Sequence, residues 1–301
     1  MTVAAVDCGT NSIRLLITDS GSTLHRELRI VRLGQGVDRT GRLAPEAIDR
    51  TRAALAEYAE LIAAHDVSRV RMVATSATRD AANRDEFVAM VRGILGVEPE
   101  VISGAEEAEL SFSGAVETIN GLSGRVLLVD LGGGSTELVL GSAGSGHARA
   151  AYSMDVGSVR MTERHLHDDP PTAEQIQAVV ADVNAAIDEA SADVPIADAD
   201  ALVGVAGTIT TVAAMVLGLE VYDSDAIHGA RISGSQIGDA TERLATMTHD
   251  ERAAVRVIHP GRVDVITAGA IILRTVVERA GLTEIVVSEH DILDGIAASI
   301  S

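Results

Sequence analysis

Val3-Ala-Ala-Val-Asp-Cys-Gly-Thr-Asn-Ser-Ile-Arg-Leu-Leu-Ile17 and Val126-Leu-Leu-Val-Asp-Leu-Gly-Gly-Gly-Ser-Thr-Glu-Leu-Val-Leu140 are two versions of one pattern. At a constant offset of 123 positions, Asp7 falls on Asp130, Gly9 on Gly132, Ser12 on Ser135 and Leu15 on Leu138. Each copy reads as an apolar strand, an Asp-x-Gly turn, a loop of small residues and a second apolar strand, which is a hairpin with an acidic group at its tip. Self-similarity of this kind signals duplication. Two hairpins, each opening its own half of the chain, predict a duplicated fold with a cleft between the halves.

Helical patterns alternate with further strands on both sides of the repeat. Pro45 opens a helix over 47–65, with Ile48, Leu55 and Ile62 on one face. A second is expected over 106–119. Thr172-x-x-Gln175 forms a capping box before Ile176, Val179, Val180, Val183 and Ile187 at helical spacing. Residues 202–206 read as a strand and 208–217 as the helix after it, 263–280 as a long apolar helix and 284–288 as a last strand. Alternating strands and helices make the fold class α/β.

Composition bounds the function. The 301 residues suggest about two domains, and 47% hydrophobic against 23% charged residues excludes a disordered chain. A single cysteine, Cys8, excludes a disulfide framework and a Cys-rich zinc site, and its place in the first hairpin suits a buried small side chain. Asp7 interrupts the apolar N-terminus where a signal sequence would run, so a cytoplasmic protein is expected. The uncharged stretch 201–219 is long enough to cross a membrane, but Gly204, Gly207 and the Thr208/Thr210/Thr211 cluster break it. Acidic flanks leave no basic residue to orient it, and a buried strand, turn and helix explain it better.

Asp and Glu number 44 against 24 Lys plus Arg, a net charge of −20, and there is no lysine at all. Such a surface argues against nucleic acid or an anionic membrane as partner. A polyanionic substrate would have to be held locally, by arginine, metal ions and backbone N–H groups. The three Tyr and two Phe offer no platform for stacking bases. His165-Leu-His167-Asp-Asp169 has the residue types of a metal cluster, but its position before Pro170-Pro171 reads as a surface loop.

Four loops carry the chemistry. In residues 7–12 and 130–137, glycine lets the backbone approach an anion and turn its N–H groups inward, and Ser and Thr hydroxyls add donors. Asp7 and Asp130, at the strand ends, can hold Mg²⁺. Gly204-Val-Ala-Gly-Thr208 carries a strand into a helix, which suits an anion site or close helix–strand packing equally. In Ser103-Gly-Ala-Glu-Glu-Ala108, Glu106 and Glu107 by themselves read as acidic residues complementing a helix start.

These stretches, together with Leu33-Gly-Gln-Gly-Val-Asp38 and Ala74-Thr-Ser-Ala-Thr-Arg79, resemble the exopolyphosphatase/guanosine pentaphosphate phosphohydrolase (Ppx/GppA) family of the acetate kinase/actin/sugar kinase superfamily. The resemblance runs from the first residues to about Gly295. It implies duplicated actin-like (ribonuclease H-like) domains, the first over 1–121 and the second over 122–301. A final helix from about 292 would pack back on the first domain, with the active site in the interdomain cleft, and a homodimer is expected by analogy.

The resemblance implies that Glu107 is the catalytic base, orienting or deprotonating a water that attacks a terminal phosphorus. Asp130 and Glu137 would associate with Mg²⁺, with Mn²⁺ as the alternative metal and Asp7 as a third acidic contact. Asn11, Ser12, Arg79, Gly133, Gly134, Ser135 and Thr208 would surround the phosphates, while Arg14 reads as structural. Phosphoryl transfer depends on positioning and charge neutralisation, so no Ser or Cys nucleophile is required.

The family pattern places an arginine where Leu293 stands here, which removes one contact to a long anionic chain or one salt bridge and points to short polyphosphate. The implied activity is a Mg²⁺-dependent exopolyphosphatase releasing orthophosphate from chain ends. Guanosine pentaphosphate hydrolysis is the alternative within the class. A phosphotransferase, or a catalytically weak sensor of polyphosphate or alarmone, represents the other classes.

Overall fold

A computed structural model describes residues 1–116 and 118–301, and in it the two hairpins seed two sheets. The first contains β1 (Thr2–Cys8), β2 (Ser12–Asp19), β3 (Ser22–Ile30), β4 (Arg69–Ala74) and β5 (Glu100–Val101), in the order β3-β2-β1-β4-β5. The second contains β6 (Arg125–Leu131), β7 (Thr136–Ser142), β8 (Ala148–Met154), β9 (Ala201–Val205), β10 (Arg231–Ser233) and β11 (Glu284–Val287). Its order is β10-β11-β9-β6-β7-β8, so β8-β7-β6-β9-β11 repeats the plan of the first sheet.

The duplication holds residue by residue. Asp7 pairs with Arg14 across β1–β2, and Asp130 pairs with Glu137 across β6–β7. Gly9 N donates to Ser12 O at 2.9 Å, and Gly132 N to Ser135 O at 3.0 Å. This is the duplicated α/β fold expected from the sequence.

Period-two alternation divides each central strand between two cores. Ala4, Val6 and Cys8 of β1 face the core built with helices Pro45–Ala64 and Arg84–Leu95, whereas Ala5 faces Ile292, Leu293 and Ile296. In the second sheet, Leu127 and Val129 face helices Ala173–Ala190 and Ile266–Ala280, while Val126 and Leu128 face Ala108, Phe112 and Ala115. The two helices on the inner faces each lie on the sheet that does not precede them in the chain. Gly104–Val116 follows β5 but covers the second sheet, and Ile292–Ala298 follows β11 but covers the first. They cross at Gly114 and Gly295, where an added Cβ would lie 2.0 Å from the Asp291 and Leu110 carbonyl oxygens respectively.

Several boundaries differ from expectation for local reasons. The helix expected over 106–119 runs Gly104–Val116, and position 117 lies outside the described residues. The helix expected from 263 starts at Ile266, because Pro260–Arg262 forms a 3₁₀ turn ahead of it. The capping box at Thr172 and Gln175 is present. The 201–219 stretch divides into β9 and helix Gly207–Val216, and no helix among the described residues is long and apolar enough to cross a membrane. His165 pairs with Asp182 at 2.8 Å, and no metal-binding group of three His, Cys, Asp or Glu forms around it among the described residues.

Candidate active site

The loops after β1, β6 and β9 converge between the sheets on a cavity of about 90 Å³. Of the residues singled out in the sequence, Asp7, Asn11, Ser12, Glu107, Asp130, Gly133, Gly134, Ser135 and Thr208 line it. Arg79 and Glu137 stand behind the lining. Arg79 Nη1 donates to Glu107 Oε2 at 3.1 Å and to the Ile102 carbonyl at 3.0 Å. Glu137 is sealed beneath Asp130, where Ser153 Oγ donates to its Oε1 at 2.6 Å.

Close packing sets the floor. A Cβ on Gly134 would fall 2.1 Å from Ser76 Oγ, and one on Gly133 would fall 3.0 Å from Thr10, so only small residues let this loop meet the first domain. Thr10 and Ser76 hydroxyls lie 3.2 Å apart and face the same contact. Gly207, at the start of the helix after β9, has the Arg262 guanidinium where a Cβ would project, 2.1 Å away.

Carboxyls crowd one wall. Burial raises the Glu107 pKa to about 7; the Arg79 guanidinium works against this, and the charges of Asp130 and Asp7 add to it. Burial and the charge of Asp291 raise that of Asp130 to about 7, against the hydrogen bond from Ser111 Oγ at 2.5 Å. Glu137 is pushed well above the usual carboxylate range by burial and by Glu107 and Asp130. Asp7 is raised by burial, against Arg14, which donates to its Oδ2 at 2.6 and 3.0 Å, and its Oδ1 is buried with no hydrogen-bond partner. Near-neutral carboxyls that repel one another, with an orphaned oxygen beside them, suit a divalent cation. Among the described residues no three such groups stand at direct-ligand spacing.

Two arginines that were not foreseen as site residues also line the cavity: Arg14, read from sequence as structural, and Arg262. Arg262 is half-buried and makes no salt bridge among the described residues, and desolvation lowers its pKa. In a chain without lysine, an arginine in a small-residue loop (Pro260-Gly-Arg262) beside an apolar helix was the available signal. Both also line a wider adjoining cavity of about 460 Å³, with Tyr222, Pro260, Ile258 and Glu289. Leu293 is buried against Ala5, Leu16 and Leu110, so an apolar contact occupies the place of the missing arginine. Cys8 is buried and its thiol pKa is pushed up by burial and Asp7, which leaves it inert.

The pattern of the Ppx/GppA phosphatase family matches residues 17–300. The chain is 52% identical to Exopolyphosphatase 2 of Mycobacterium tuberculosis, over 99% of this chain and 98% of that protein. It is 34% identical to the guanosine-5'-triphosphate,3'-diphosphate pyrophosphatase of Vibrio cholerae, over 71% of this chain and 43% of that one. Among solved structures, an exopolyphosphatase-like protein superposes with a TM-score of 0.96 at 46% identity, covering 99% of this chain and 98% of that one. An Aquifex aeolicus Ppx/GppA protein gives 0.81 at 32%, covering 99% and 97%. With the motif residues gathered in one cleft and the likeness running through both halves, the chain belongs to the Ppx/GppA phosphatase family.

Proposed function

We propose that the protein is a Mg²⁺-dependent exopolyphosphatase. The carrying observation is Glu107, a buried carboxyl poised near neutral pH, held by Arg79 and facing two anion-binding loops. A water oxygen attacks the terminal phosphorus, its proton passes to Glu107, and the bridging P–O bond breaks. Orthophosphate leaves from one side and the shortened chain carries away the electron pair. A base placed this way contributes about 10²–10⁴-fold. The N–H groups and hydroxyls of Asn11, Ser12, Gly133, Gly134, Ser135 and Thr208 hold the terminal phosphoryl oxygens, and Arg262 offsets charge on the departing chain.

Asp130 and the free oxygen of Asp7 would hold the metal, with Glu137 buried behind Asp130 and held by the Ser153 hydroxyl. When bound, the metal supplies charge neutralisation on the phosphoryl oxygens. Leu293 supports a preference for short chains, because no cation stands at that position. A second reading, hydrolysis of guanosine pentaphosphate, draws on the adjoining 460 Å³ cavity, which has room for a nucleoside and is walled by Tyr222, Pro260 and Ile258.

The test is phosphate release with Mg²⁺ from short polyphosphate, long polyphosphate and guanosine pentaphosphate. Preferred turnover of polyphosphate is expected. Preference for the pentaphosphate would transfer the same site to the second reading, and binding without release would overturn both.

A further inference from the structure

Arg14 stands at the junction of the narrow cavity and the wider one, and lines both. Its guanidinium is gripped from two sides. Nε and Nη2 donate to Asp7 Oδ2, and Nη1 donates to Asp291 Oδ2. Asp7 lies opposite Arg14 in the sheet, so that grip comes with β1–β2 pairing. Asp291 arrives from the far end of the chain as the N-cap of helix Ile292–Ala298, where its Oδ1 accepts from Leu293 N at 3.0 Å. Both carboxylates are more deeply buried than the guanidinium: their side chains are 6% and 5% exposed against 17%.

Two carboxylates on one guanidinium leave a net negative charge. An anionic chain reaching the junction must pull Arg14 from a buried, pre-positioned partner, and that would strand a buried carboxylate without compensation. Arg262, lining the same two cavities, feels the charge of Glu289 but makes no salt bridge among the described residues. The junction therefore pairs a neutralised cation with one that makes no salt bridge among the described residues.

Resting on the exopolyphosphatase reading, we propose that Asp291 is a specificity-determining residue. By occupying one edge of Arg14 it withholds that cation from the part of a polyphosphate that extends past the narrow cavity. Discrimination by chain length is then set at the Arg14–Asp291 pair as well as by the pattern at Leu293.

Asp291→Asn tests this, because Asn caps a helix as well as Asp and removes only the charge. Released Arg14 gains a charge-assisted hydrogen bond to phosphate, so the KM for a chain of several tens of phosphates should fall roughly tenfold relative to that for tripolyphosphate. Asp291→Ser, another strong cap, provides the same comparison should the first variant unfold. A merely structural residue would depress kcat for both substrates and leave the KM ratio unmoved, and an unmoved ratio overturns the proposal. The ratio of Kd values by calorimetry, in a Glu107→Gln background that binds without hydrolysing, gives a second reading of the same quantity. Absence of turnover in the parent protein would reject the exopolyphosphatase reading, while the Kd ratio would still decide the role of Asp291.

Discussion

Replacing Glu107 by Gln separates catalysis from stability with one atom. The carboxyl titrates near 7 in the folded protein against an ordinary value of 4.5. A carboxyl with a raised folded pKa binds its proton more tightly when folded, so stability falls as pH climbs from 4.5 to about 7 and stays lost above it. At about 1.4 kcal/mol per unit, the ionised form costs up to about 3 kcal/mol at pH 8. Gln cannot ionise, and its Oε1 still accepts from Arg79, though it loses the ionic part of that bond. A net gain of about 1–2 kcal/mol is left, which is a rise in Tm of about 2–3 °C at pH 8. Near pH 4 the two proteins should melt together. Phosphate release should fall by about 10²–10⁴-fold across the pH range. Differential scanning calorimetry at the two pH values, with release assays on the same samples, reads both effects. A lower Tm at pH 8 would refute the crowded-carboxyl account, and unchanged turnover would remove Glu107 from the chemistry.

Arg79→Gln takes away the opposite charge 3.1 Å from Glu107, so the acidic limb of the kcat/KM profile should move up by about one to two pH units; a stationary limb would place the Arg79 charge outside the control of the base. Gly114→Ala drives a methyl group to 2.0 Å from the Asp291 carbonyl and should destabilise by about 1–3 kcal/mol in urea titrations, whereas a loss within about 0.5 kcal/mol would show that the helix crossing yields freely. Mg²⁺ without substrate should raise Tm at pH 8 and do so progressively less toward pH 5, where the carboxyls take protons in place of the cation; a Mg²⁺ effect independent of pH would speak against Asp130 and Asp7 as its holders.

The hairpins were legible because a glycine, an acid and a hydroxyl recur at one register, and the strand pairing repeats at the same offset. Glu107 was harder to read. As an acidic residue in a first helical turn it looks like a dipole complement, and only burial against Asp130 and Arg79 makes it unusual. The resemblance implied a role for it where local pattern did not, and the structure places it on the cavity lining. Arg14 and Arg262 escaped for a related reason. Each draws its meaning from partners distant in sequence: Asp291 lies 277 positions from Arg14, and Arg262 meets Gly207 across the second domain. The crossing of the two inner helices was likewise invisible, since a glycine pair at 114 and 295 has no signature until the two meet.

The duplication explains why the cleft is electrically lopsided. Position 14 and position 137 occupy the same place in their hairpins, beside Asp7 and Asp130 respectively. In the first copy that neighbour is an arginine, and its acid is neutralised. In the second it is a glutamate, and Glu107 joins from the helix that crosses onto this sheet, so three carboxyls share one buried wall. A terminal phosphoryl cannot approach such a wall on its own, because like charges in a low-dielectric cleft repel strongly. On the proposed reading, a cation held by Asp130 and Asp7 would relieve that repulsion and leave Glu107 to act as the base. On the same reading the remainder of the chain, which needs no base, passes the first hairpin, where Arg14 is already held by Asp7 and Asp291, and meets Arg262. The proposed reaction would then acquire a direction, with the end to be cleaved at the hairpin that keeps its carboxyls and the leaving chain at the one whose acid is neutralised, from a single Arg/Glu difference between two copies of one motif.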